Sequence, residues 1–433
     1  MENKKKVLVV GGGGRCHAIV DALSRSPRVG EIFCAPGNAG IAAQATCVPL
    51  KDTDVDGLKR FALENGVDLT VVGPEAALEA GITDAFREAG LPIFGHTKGA
   101  TAIESSKSFA KELMLKYGVP TAAYRTFTDY SQARDYVAAG TFPAVIKYDG
   151  LAAGKGVVVA EDFPKADAAL RDMLCDGRYG EGKVVVEEYL SGPEFSFMAF
   201  VSGREVAPMI CAQDHKRAFD ADLGPNTGGM GAYTEPFATG RSGLSFISDE
   251  DYDFALREVL QRTADAMVEE GRPLSGVLYA GLMKTPDGIR VIEFNARFGD
   301  PETEVVLPRL QGDIYDIFSA VANAEPLPQP LWSDVATLGV VLASKGYPDS
   351  YEKGVPLCTD GCSGEGRLLY HMGTVRDASG TLVTSGGRVL MAIGCGATTQ
   401  EAGSKAYEAL SAVKCDNLFW RSDIGKHVLT PVE

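Results

Sequence analysis

Glu293 and Asn295 stand two positions apart in an apolar segment that reads as a β-strand, and Arg297 follows two positions later. Because side chains alternate between the two faces of a strand, this spacing predicts that the carboxylate, the amide and the guanidinium form one row. Carboxylate and amide oxygens suit Mg²⁺, which completes its shell with phosphate and water, and a guanidinium binds phosphoryl or carboxylate oxygens. The row therefore predicts metal-assisted chemistry at a phosphate, with a solvated ion pair on an exposed strand as the alternative.

The segment at residues 149–157 is a second candidate for phosphate chemistry, because it is rich in glycine and lies between two β-branched segments. Its small residues would make a flap that closes over a ligand, and Lys155, flanked by Gly154 and Gly156, would bring a positive charge to phosphate. A P-loop is excluded because Gly156 stands where Ser or Thr should follow the lysine. The alternative is a flexible loop without a ligand.

Residues 11–15 form a glycine-rich turn that follows one strand and opens a helix. Glycines there let backbone N–H groups and a helix N-terminus meet an anion, so Gly13, Gly14 and Arg15 are candidates for contacting a phosphorylated ligand. A dinucleotide site, and with it an NAD oxidoreductase, is disfavoured because Cys16 replaces the third glycine of that pattern and no acid ends the second strand. A purely structural tight turn is the alternative.

Two further segments carry polar residues that a packed core does not require. Residues 214–217 and 224–231 combine acid, base and glycine, and they predict a small-molecule site. The strand predicted at residues 184–188 would place backbone polar groups beside an adenine, with Glu194 near ribose hydroxyls, although most such strands are only core.

The composition narrows the classes of function. The chain has 433 residues, a formal net charge of -16 and no basic run beyond residues 4–6, so neither nucleic acid nor a membrane surface is an expected partner. Nine cysteines without a Cys-x-x-Cys pair predict reduced thiols in a cytoplasmic protein. The first apolar run is too short for a signal peptide, and no run is long enough for a membrane span.

The organisation of the chain indicates several units. Short apolar strands alternate with helices over residues 1–101, which predicts a parallel sheet covered on both faces. A second unit begins near Ala102, with a helix predicted over residues 105–117. A final unit from about residue 327 contains strands and hairpins.

Together these segments resemble the phosphoribosylamine–glycine ligase family of the ATP-grasp superfamily over nearly the whole chain. The strings that carry the resemblance are residues 13–15, 36–40, 73–75, 149–157, 213–217, 224–233, 293–302 and 384–390. The resemblance implies a multidomain fold of α/β and α+β type. Its parts would be a Rossmann-like pre-ATP-grasp domain at residues 1–101, an ATP-grasp core at 102–326 with an inserted lid subdomain at about 121–189, and a small α+β domain at 327–433.

The resemblance also implies a reaction. ATP, glycine and 5-phosphoribosylamine would give glycinamide ribonucleotide, ADP and phosphate through glycyl phosphate, a step of de novo purine synthesis. Mg²⁺ would be the metal, with Mn²⁺ as a substitute, and the chain would act as a monomer or a weak homodimer. The alternatives are another ATP-grasp carboxylate–amine ligase or carboxylase of purine metabolism, or a nucleotide-binding regulator without turnover.

The expected site residues follow from the motifs and the resemblance. Those expected at the nucleotide are Lys107, Lys147, Gly154, Lys155, Gly156, Glu187, Glu188, Tyr189, Leu190 and Glu194, and the metal ligands are Glu293 and Asn295. Those expected at the substrates are Gly13, Gly14, Arg15, Asn38, Glu75, Asp214, Lys216, Arg217, Asn226, Gly228, Gly229, Arg297, Asp300 and Glu302. Arg297, Lys155 and Asp214 carry the expected catalytic roles, Asp214 by holding the glycine ammonium. Asp300 and Glu302 are expected at the amine or ribose of 5-phosphoribosylamine.

Three features depart from the pattern that the resemblance implies. Cys16 stands where the family usually has Glu, and His96 where it usually has Pro. The strand before Glu293, at residues 279–283, lacks the additional metal carboxylate that many ATP-grasp enzymes carry. Glu293 is therefore expected to be the only carboxylate on the metal.

Overall fold

The computed structural model describes residues 4–150, 156–176 and 182–429. The elements of its first unit are β1 (Lys5–Gly11), α1 (Gly14–Ser24), β2 (Val29–Pro36), β3 (Thr46–Cys47), α2 (Val55–Asn65), β4 (Leu69–Val72), α3 (Glu75–Glu79), α4 (Ile82–Glu88), β5 (Ile93–Phe94) and α5 (Lys98–Ser105). The sheet order is β3-β2-β1-β4-β5, and every neighbouring pair is parallel. The predicted parallel α/β sheet is confirmed, and β3 is a strand that the sequence pattern did not indicate.

The central strand β1 shows why a parallel sheet forms here. Val7 and Val9 pack in one hydrophobic cluster with residues of α1, while Leu8 and Val10 pack in another with residues of α2 and α4. All four side chains are 0% exposed. A strand covered on both faces needs apolar residues at every position, and this run supplies them. The turn from β1 into α1 then leaves Gly13 at the carboxyl edge of the sheet.

The second unit begins with α6 (Lys107–Tyr117) and continues into a small subdomain. Its elements are β6 (Tyr124–Phe127), α7 (Tyr130–Ala138), β7 (Ala144–Tyr148), β8 (Val157–Ala160), α8 (Phe163–Leu174) and β9 (Val184–Glu188). The sheet order is β6-β9-β7-β8, with antiparallel pairs. The single helix predicted over residues 105–117 is wrong at its start, because Ser106 interrupts it. The Ser106 hydroxyl caps α6 by accepting from the Phe109 N–H at 3.2 Å.

A second four-stranded antiparallel sheet carries the expected metal ligands. The elements of this part are β10 (Glu194–Ser202), β11 (Glu205–Pro208), β12 (Gln213–Asp214), β13 (Arg217–Phe219), β14 (Leu223–Asn226), β15 (Gly231–Thr234), α9 (Asp249–Phe254), α10 (Arg262–Glu269), β16 (Ser275–Thr285), β17 (Gly288–Asn295), α11 (Thr303–Val306), β18 (Leu310–Gln311) and α12 (Ile314–Asn323). A π-helical segment, Ala255–Gln261, joins α9 to α10. The sheet order is β11-β10-β16-β17, and β13–β14 is a separate hairpin.

The last unit shares a sheet with the one before it. Its elements are β19 (Leu331–Trp332), β20 (Ala336–Ser344), β21 (Arg367–His371), β22 (Thr374–Arg376), β23 (Leu382–Thr384), β24 (Arg388–Gly396), α13 (Thr399–Ser411), β25 (Leu418–Phe419) and α14 (Lys426–Leu429). The order β12-β15-β20-β24-β21 joins strands from residues 213–234 to strands beyond residue 335. The polar segment around Asp214 is therefore positioned from both sides of the expected boundary at residue 327. Across the described parts of the chain, no helix combines the length and apolar character needed to cross a membrane.

Candidate active site

Glu293 and Asn295 lie at the carboxyl end of β17, opposite Gly281 and Tyr279 of β16. Burial would raise the pKa of Glu293, but the charges of nearby lysines, among them Lys216, hold it below its ordinary value. An ionised carboxylate two residues from an amide oxygen is a set of hard donors that suits a small divalent cation. The two residues therefore fit the metal expected from the sequence.

Arg297 does not continue the strand row. Because β17 ends at Asn295, the predicted three-residue face is wrong for the arginine, although its Nη2 still donates to Asn295 Oδ1 at 2.9 Å. Its Nε lies 3.3 Å from Glu75, and its Nη2 lies 3.2 Å from Glu104. Burial would lower the pKa of Arg297, but the charges of Glu104 and Glu75 hold it above its ordinary value. The guanidinium is thus ionised and held between two acids beside the metal row.

The amino-terminal end of α1 faces an acid of the same chain. Gly13 offers no side-chain cap, and the Arg15 N–H instead donates to Asp300 Oδ2 at 3.5 Å, with Arg15 Nε 3.4 Å from the same oxygen. Burial would raise the pKa of Asp300, but Arg388 and Arg15 hold it below its ordinary value. A carboxylate at this end of a helix is stabilised by the backbone dipoles. The glycine turn does meet an anion, and in this structure the anion is the Asp300 side chain.

The second carboxylate oxygen of Asp300, Oδ1, contacts Arg388 of the last unit. Arg388 Nη2 lies 2.9 Å from Asp300 Oδ1, and Arg388 Nη1 donates to the carbonyls of Gly228 and Asp300 at 2.6 and 3.0 Å. Gly229 has a φ of 108° and packs against Pro301, so a side chain there would be strained and would clash. The expected substrate glycines, Gly228 and Gly229, are thereby fixed against the turn that carries Asp300.

Alternating charges connect these groups across the three units. Glu75 Oε2 lies 3.3 Å from Arg297 Nε and 3.6 Å from Arg15 Nη1, so one carboxylate joins both arginines. The order along the chain of contacts is Asn295, Arg297, Glu75, Arg15, Asp300 and Arg388. This network, which we call the charge chain, couples Asn295, one of the two expected metal ligands, to the first and last units.

The expected phosphate lysines lie on two elements, Lys147 in β7 and Lys107 at the start of α6. Lys147 Nζ lies 3.0 Å from Glu187 Oε1 and donates to the carbonyl of Ile292 at 2.9 Å, next to the metal row. Lys107 Nζ donates to the carbonyl of Gly150 at 3.0 Å, and burial lowers the pKa of Lys107. Two lysines from different elements therefore converge on Glu293, whose carboxyl responds to both charges.

Two further acids, Asp214 and Glu302, lie near Glu293, because the charges of all three act on Tyr279. Glu302 is 3% exposed and accepts from the hydroxyls of Ser196 and Tyr279 at 2.7 and 2.9 Å. Burial raises the pKa of Asp214 to about 8; Lys216 opposes this rise and Glu302 adds to it. An added cation would favour the ionised form of Asp214, so these acids suit an ammonium group.

Two of the expected substrate residues, Arg217 and Asn226, lie on the hairpin β13–β14, apart from the contacts described above. Arg217 and Asn226 pair across the hairpin and are exposed, and Arg217 Nη1 donates to the carbonyl of Gly224 at 2.8 Å. Lys216, one position earlier, pairs instead with Glu194. The expected ribose acid thus contacts an expected substrate lysine.

Two other expected site residues fix loops through their side chains. Asn38 Nδ2 donates to the carbonyls of Gly12 and His371 at 2.9 and 2.7 Å, and its Oδ1 accepts from two backbone N–H groups. Glu188 accepts from the Ala123 N–H at 2.9 Å. In the geometry described, the amide hydrogens of Asn38 are therefore used within the protein.

The flap is only partly described. Gly154 and Lys155 lie outside the described residues, whereas Gly156 is buried and its carbonyl accepts from the Tyr148 N–H at 2.7 Å. Tyr189 and Leu190 follow β9, and the Tyr189 side chain is 47% exposed.

Two of the three departures from the expected pattern, Cys16 and His96, are packed into the core. Cys16 is 2% exposed, its Sγ lies 3.7 Å from the Val10 carbonyl, and burial raises the pKa of its thiol to about 12, which makes it a poor nucleophile. His96 is 0% exposed; its Nδ1 accepts from the Ser275 N–H at 2.9 Å, so Nε2 donates to the Val277 carbonyl at 2.9 Å. His96 therefore ties the first unit to β16.

Sequence reasoning missed three residues of this site. Glu104 belongs to no motif, and its contacts with Arg297 and with the Ala296 N–H reveal it. Arg388 lies in the string 384–390, but the sequence assigned it no role. Lys111 pairs with Glu187 at 2.8 Å, and its position four residues after Lys107 on one helix was the available signal.

Comparison with known proteins agrees with this architecture. The family model of the phosphoribosylglycinamide synthetase N domain matches residues 5–104, that of the ATP-grasp (A) domain matches residues 105–303, and that of the C domain matches residues 337–427. A curated phosphoribosylamine–glycine ligase from Halalkalibacterium halodurans is 50% identical over 425 residues, covering 98% of this chain and 97% of that protein. One from Listeria innocua is 47% identical over 422 residues, covering 97% and 99%.

A solved structure extends the comparison to three dimensions. The crystal structure of a phosphoribosylamine–glycine ligase from Thermotoga maritima has a TM-score of 0.83 at 31% identity, covering 97% of this chain and all of that one. The ATP-grasp architecture expected from the sequence is thereby confirmed. The chain belongs to the phosphoribosylglycinamide synthetase family.

Proposed function

We propose that this chain ligates glycine to 5-phosphoribosylamine at the expense of ATP, giving glycinamide ribonucleotide, ADP and phosphate in purine synthesis. Family membership and relatives named phosphoribosylamine–glycine ligase support this reaction. The observation that carries it is the position of ionised Glu293, which lies within the influence of Lys107 and Lys147 and near the acids Asp214 and Glu302, since Tyr279 responds to the charges of all three acids. A charged nucleotide and an amino acid could therefore meet at one place.

The reaction has two steps. An oxygen of the glycine carboxylate attacks the γ-phosphorus, and the bond to ADP breaks, which leaves glycyl phosphate. The nitrogen of 5-phosphoribosylamine then attacks the acyl carbon, phosphate leaves, and the amine loses a proton. Lys107, Lys147 and Lys155 balance phosphate charge while Arg297 orients the transferring group. Positioning these reactants is the enzyme's main contribution, and no side chain forms a covalent bond.

An ATP-grasp ligase uses ATP together with a divalent metal ion. We assign Mg²⁺ to this role, with Mn²⁺ able to substitute. Glu293 and Asn295 would hold the ion, which when bound supplies charge neutralisation at phosphate oxygens. Asn295 Oδ1 has two lone pairs, so it can accept from Arg297 and still coordinate a cation.

Asp300 and Glu302, the two acids expected near 5-phosphoribosylamine, have different partners in the protein. Asp300 already faces Arg15 and Arg388, so we propose that it fixes the turn at Gly228 in addition to contacting the amine or ribose of 5-phosphoribosylamine. Glu302 accepts from two hydroxyl groups, which leaves its charge available for an amine. Asp214 would hold the glycine ammonium, and a tight pocket would exclude larger amino acids.

The proposal also includes the domain limits of the chain, its partners, its location and its oligomeric state. The domain limits are residues 1–101, 102–326 with a lid at about 121–189, and 327–433. The partners are the small-molecule substrates alone, with no nucleic acid or membrane. The chain acts in the cytoplasm as a monomer or a weak homodimer.

The decisive experiment is a measurement of ADP release with each component omitted in turn. Steady-state ADP release should require ATP, glycine, 5-phosphoribosylamine and Mg²⁺ together, and glycinamide ribonucleotide should accumulate in equal amount. ADP formation that is equally fast without glycine would overturn the proposal. Product formation with formate or bicarbonate in place of glycine would favour another ATP-grasp ligase or carboxylase, and nucleotide binding without turnover would favour a regulator.

A further inference from the structure

We propose that Lys111 is a positioning residue for the nucleotide phosphates, acting through Glu187 on Lys147. The inference rests on the nucleotide site of the proposed function and adds a residue to it. Lys111 is not expected to touch ATP. Its role is to hold the carboxylate against which the phosphate lysine is set.

Lys111, Glu187 and Lys147 form a fully enclosed triad. They are 2%, 4% and 4% exposed, respectively. Lys111 Nζ lies 2.8 Å from Glu187 Oε2, and Lys147 Nζ lies 3.0 Å from Glu187 Oε1. One carboxylate therefore bridges an ammonium from α6 and an ammonium from β7.

The remaining contacts of Lys111 are all with protein. Its Nζ donates to the Thr121 hydroxyl at 2.8 Å and lies 5.7 Å from the centre of the Tyr124 ring. The Thr121 hydroxyl in turn donates to the Val291 carbonyl at 2.7 Å, two residues before Glu293. Lys111 is thus tied to β17 and cannot reach a ligand without leaving Glu187.

Lys147 is arranged differently. It donates to the Ile292 carbonyl at 2.9 Å and approaches Glu187 Oε1 without the geometry of a hydrogen bond. An ammonium has three hydrogens, so part of its capacity remains for a phosphate oxygen. Glu187 therefore restrains Lys147 without using it fully, and Lys111 limits how far that carboxylate can turn towards Lys147.

Charge balance gives the consequence. With Lys111 present, two ammonium groups share one carboxylate, and the triad carries an excess positive charge that favours phosphate. Without Lys111, Glu187 has only Lys147 as a cationic partner, so the pair becomes neutral and tighter. Because attraction between charges is strong in a site shielded from water, nucleotide phosphates should bind less well. The adenosine portion should be affected little.

The experiment compares Lys111→Met with Lys111→Arg and with a matched control. Lys116→Met alters the same helix at an exposed lysine that pairs with Glu270 outside the site. Calorimetry would measure the affinity of each variant for a non-hydrolysable ATP analogue with Mg²⁺, and separately for adenosine. We expect Lys111→Met to lower the affinity for the ATP analogue about tenfold, a change equivalent to one modest charge contact. The affinity for adenosine should fall less than twofold. Lys111→Arg should keep most of the affinity for the ATP analogue, and Lys116→Met all of it.

Steady-state kinetics provide a second readout. In Lys111→Met the KM for ATP should rise by a similar factor, while kcat at saturating ATP stays within threefold of the parent. In a Glu187→Gln background, adding Lys111→Met should change the affinity for the analogue less than twofold, because its effect passes through Glu187. If Lys111→Met does not fold, Lys111→Gln serves in its place, because it removes the charge but keeps a hydrogen-bond donor for Glu187, and the same tenfold loss is expected.

If Lys111→Met lowered the affinities for adenosine and for the ATP analogue equally, the proposal would be overturned, because such a result would indicate general distortion of the site. Unchanged affinity in Lys111→Met would overturn it as well, as would full additivity with Glu187→Gln. Nucleotide binding is measured here without glycine or 5-phosphoribosylamine. Failure of this inference would therefore leave the proposed ligase reaction standing, whereas failure of the ligase assay would not remove the binding result.

Discussion

Replacing Asp300 by Asn tests whether the charge chain holds the three units together. The change keeps the size of the side chain but removes the negative charge between Arg15 and Arg388. Both arginine side chains are largely enclosed, at 14% and 17% exposed, and the aspartate is 5% exposed. Water can therefore do little to compensate either guanidinium for the lost partner.

The expected loss of stability follows from this burial. Breaking a buried ion pair by removing one partner costs about 3–5 kcal/mol, and the Asn oxygen would still accept hydrogen bonds, so we expect about 3 kcal/mol. Urea unfolding followed by tryptophan fluorescence is a suitable assay, because Trp332 and Trp420 both lie in the last unit. Loss of coupling should also make this unit unfold separately, so that the fluorescence transition no longer coincides with the transition that circular dichroism reports for the whole chain.

Asp316→Asn is the matched control. Asp316 pairs with Arg28 at the surface, where both side chains are more than 40% exposed, so its replacement should cost at most about 1 kcal/mol. If Asp300→Asn destabilised the protein no more than this control does, the charge chain would not contribute to the packing of the units, and our reasoning about it would be refuted.

Three further outcomes are expected. Glu293→Gln should abolish turnover while circular dichroism stays unchanged, because an amide cannot supply the charge for the metal; near-normal activity would remove Glu293 from the site. Gly14→Ala should lower the free energy of unfolding by about 1–3 kcal/mol, since the added methyl would crowd Glu304 and Met372. The same change at Gly99, where the nearest atom to an added methyl is Thr97 Oγ1 at 4.0 Å, should be close to neutral. Burial lowers the pKa of His96 in the folded protein to about 4, from an ordinary value of 6.5. The unfolded chain therefore binds the proton first as pH falls, and this group alone should lower the free energy of unfolding by about 2 kcal/mol at pH 5. An imidazole NMR titration of His96 with a midpoint near pH 6.5 would contradict this last expectation.

The first sheet could be predicted because most of its strands carry their own signal. Residues 7–10 are apolar at every position, a pattern that favours a strand covered on both faces. β3 could not be predicted, because Thr46 and Cys47 are too few to show a period. They become a strand only by lying parallel to Phe33 and Cys34 of β2.

The site shows the same division at the level of single residues. Glu293 and Asn295 are neighbours by the geometry of one strand, so their spacing alone indicated a pair of oxygen donors. The position of Arg297 could not be predicted from spacing, because the strand ends at Asn295 and the chain then turns. Its actual position depends on Glu75 and Glu104, which belong to other elements.

The sequence by itself determined the chemistry available here: hard oxygen donors, lysines for phosphate, and glycine turns in a family-specific order. The tertiary structure alone decided which charges face one another. Arg15 and Asp300 are 285 positions apart, and Arg388 lies a further 88 positions along the chain. Local periodicity extends over a few turns of helix or a few residues of strand, whereas ion pairs between units depend on how whole elements pack. The sequence predicted that the glycine turn after β1 contacts a phosphorylated ligand, which stays a prediction, whereas only packing placed the Asp300 carboxylate beside Arg15.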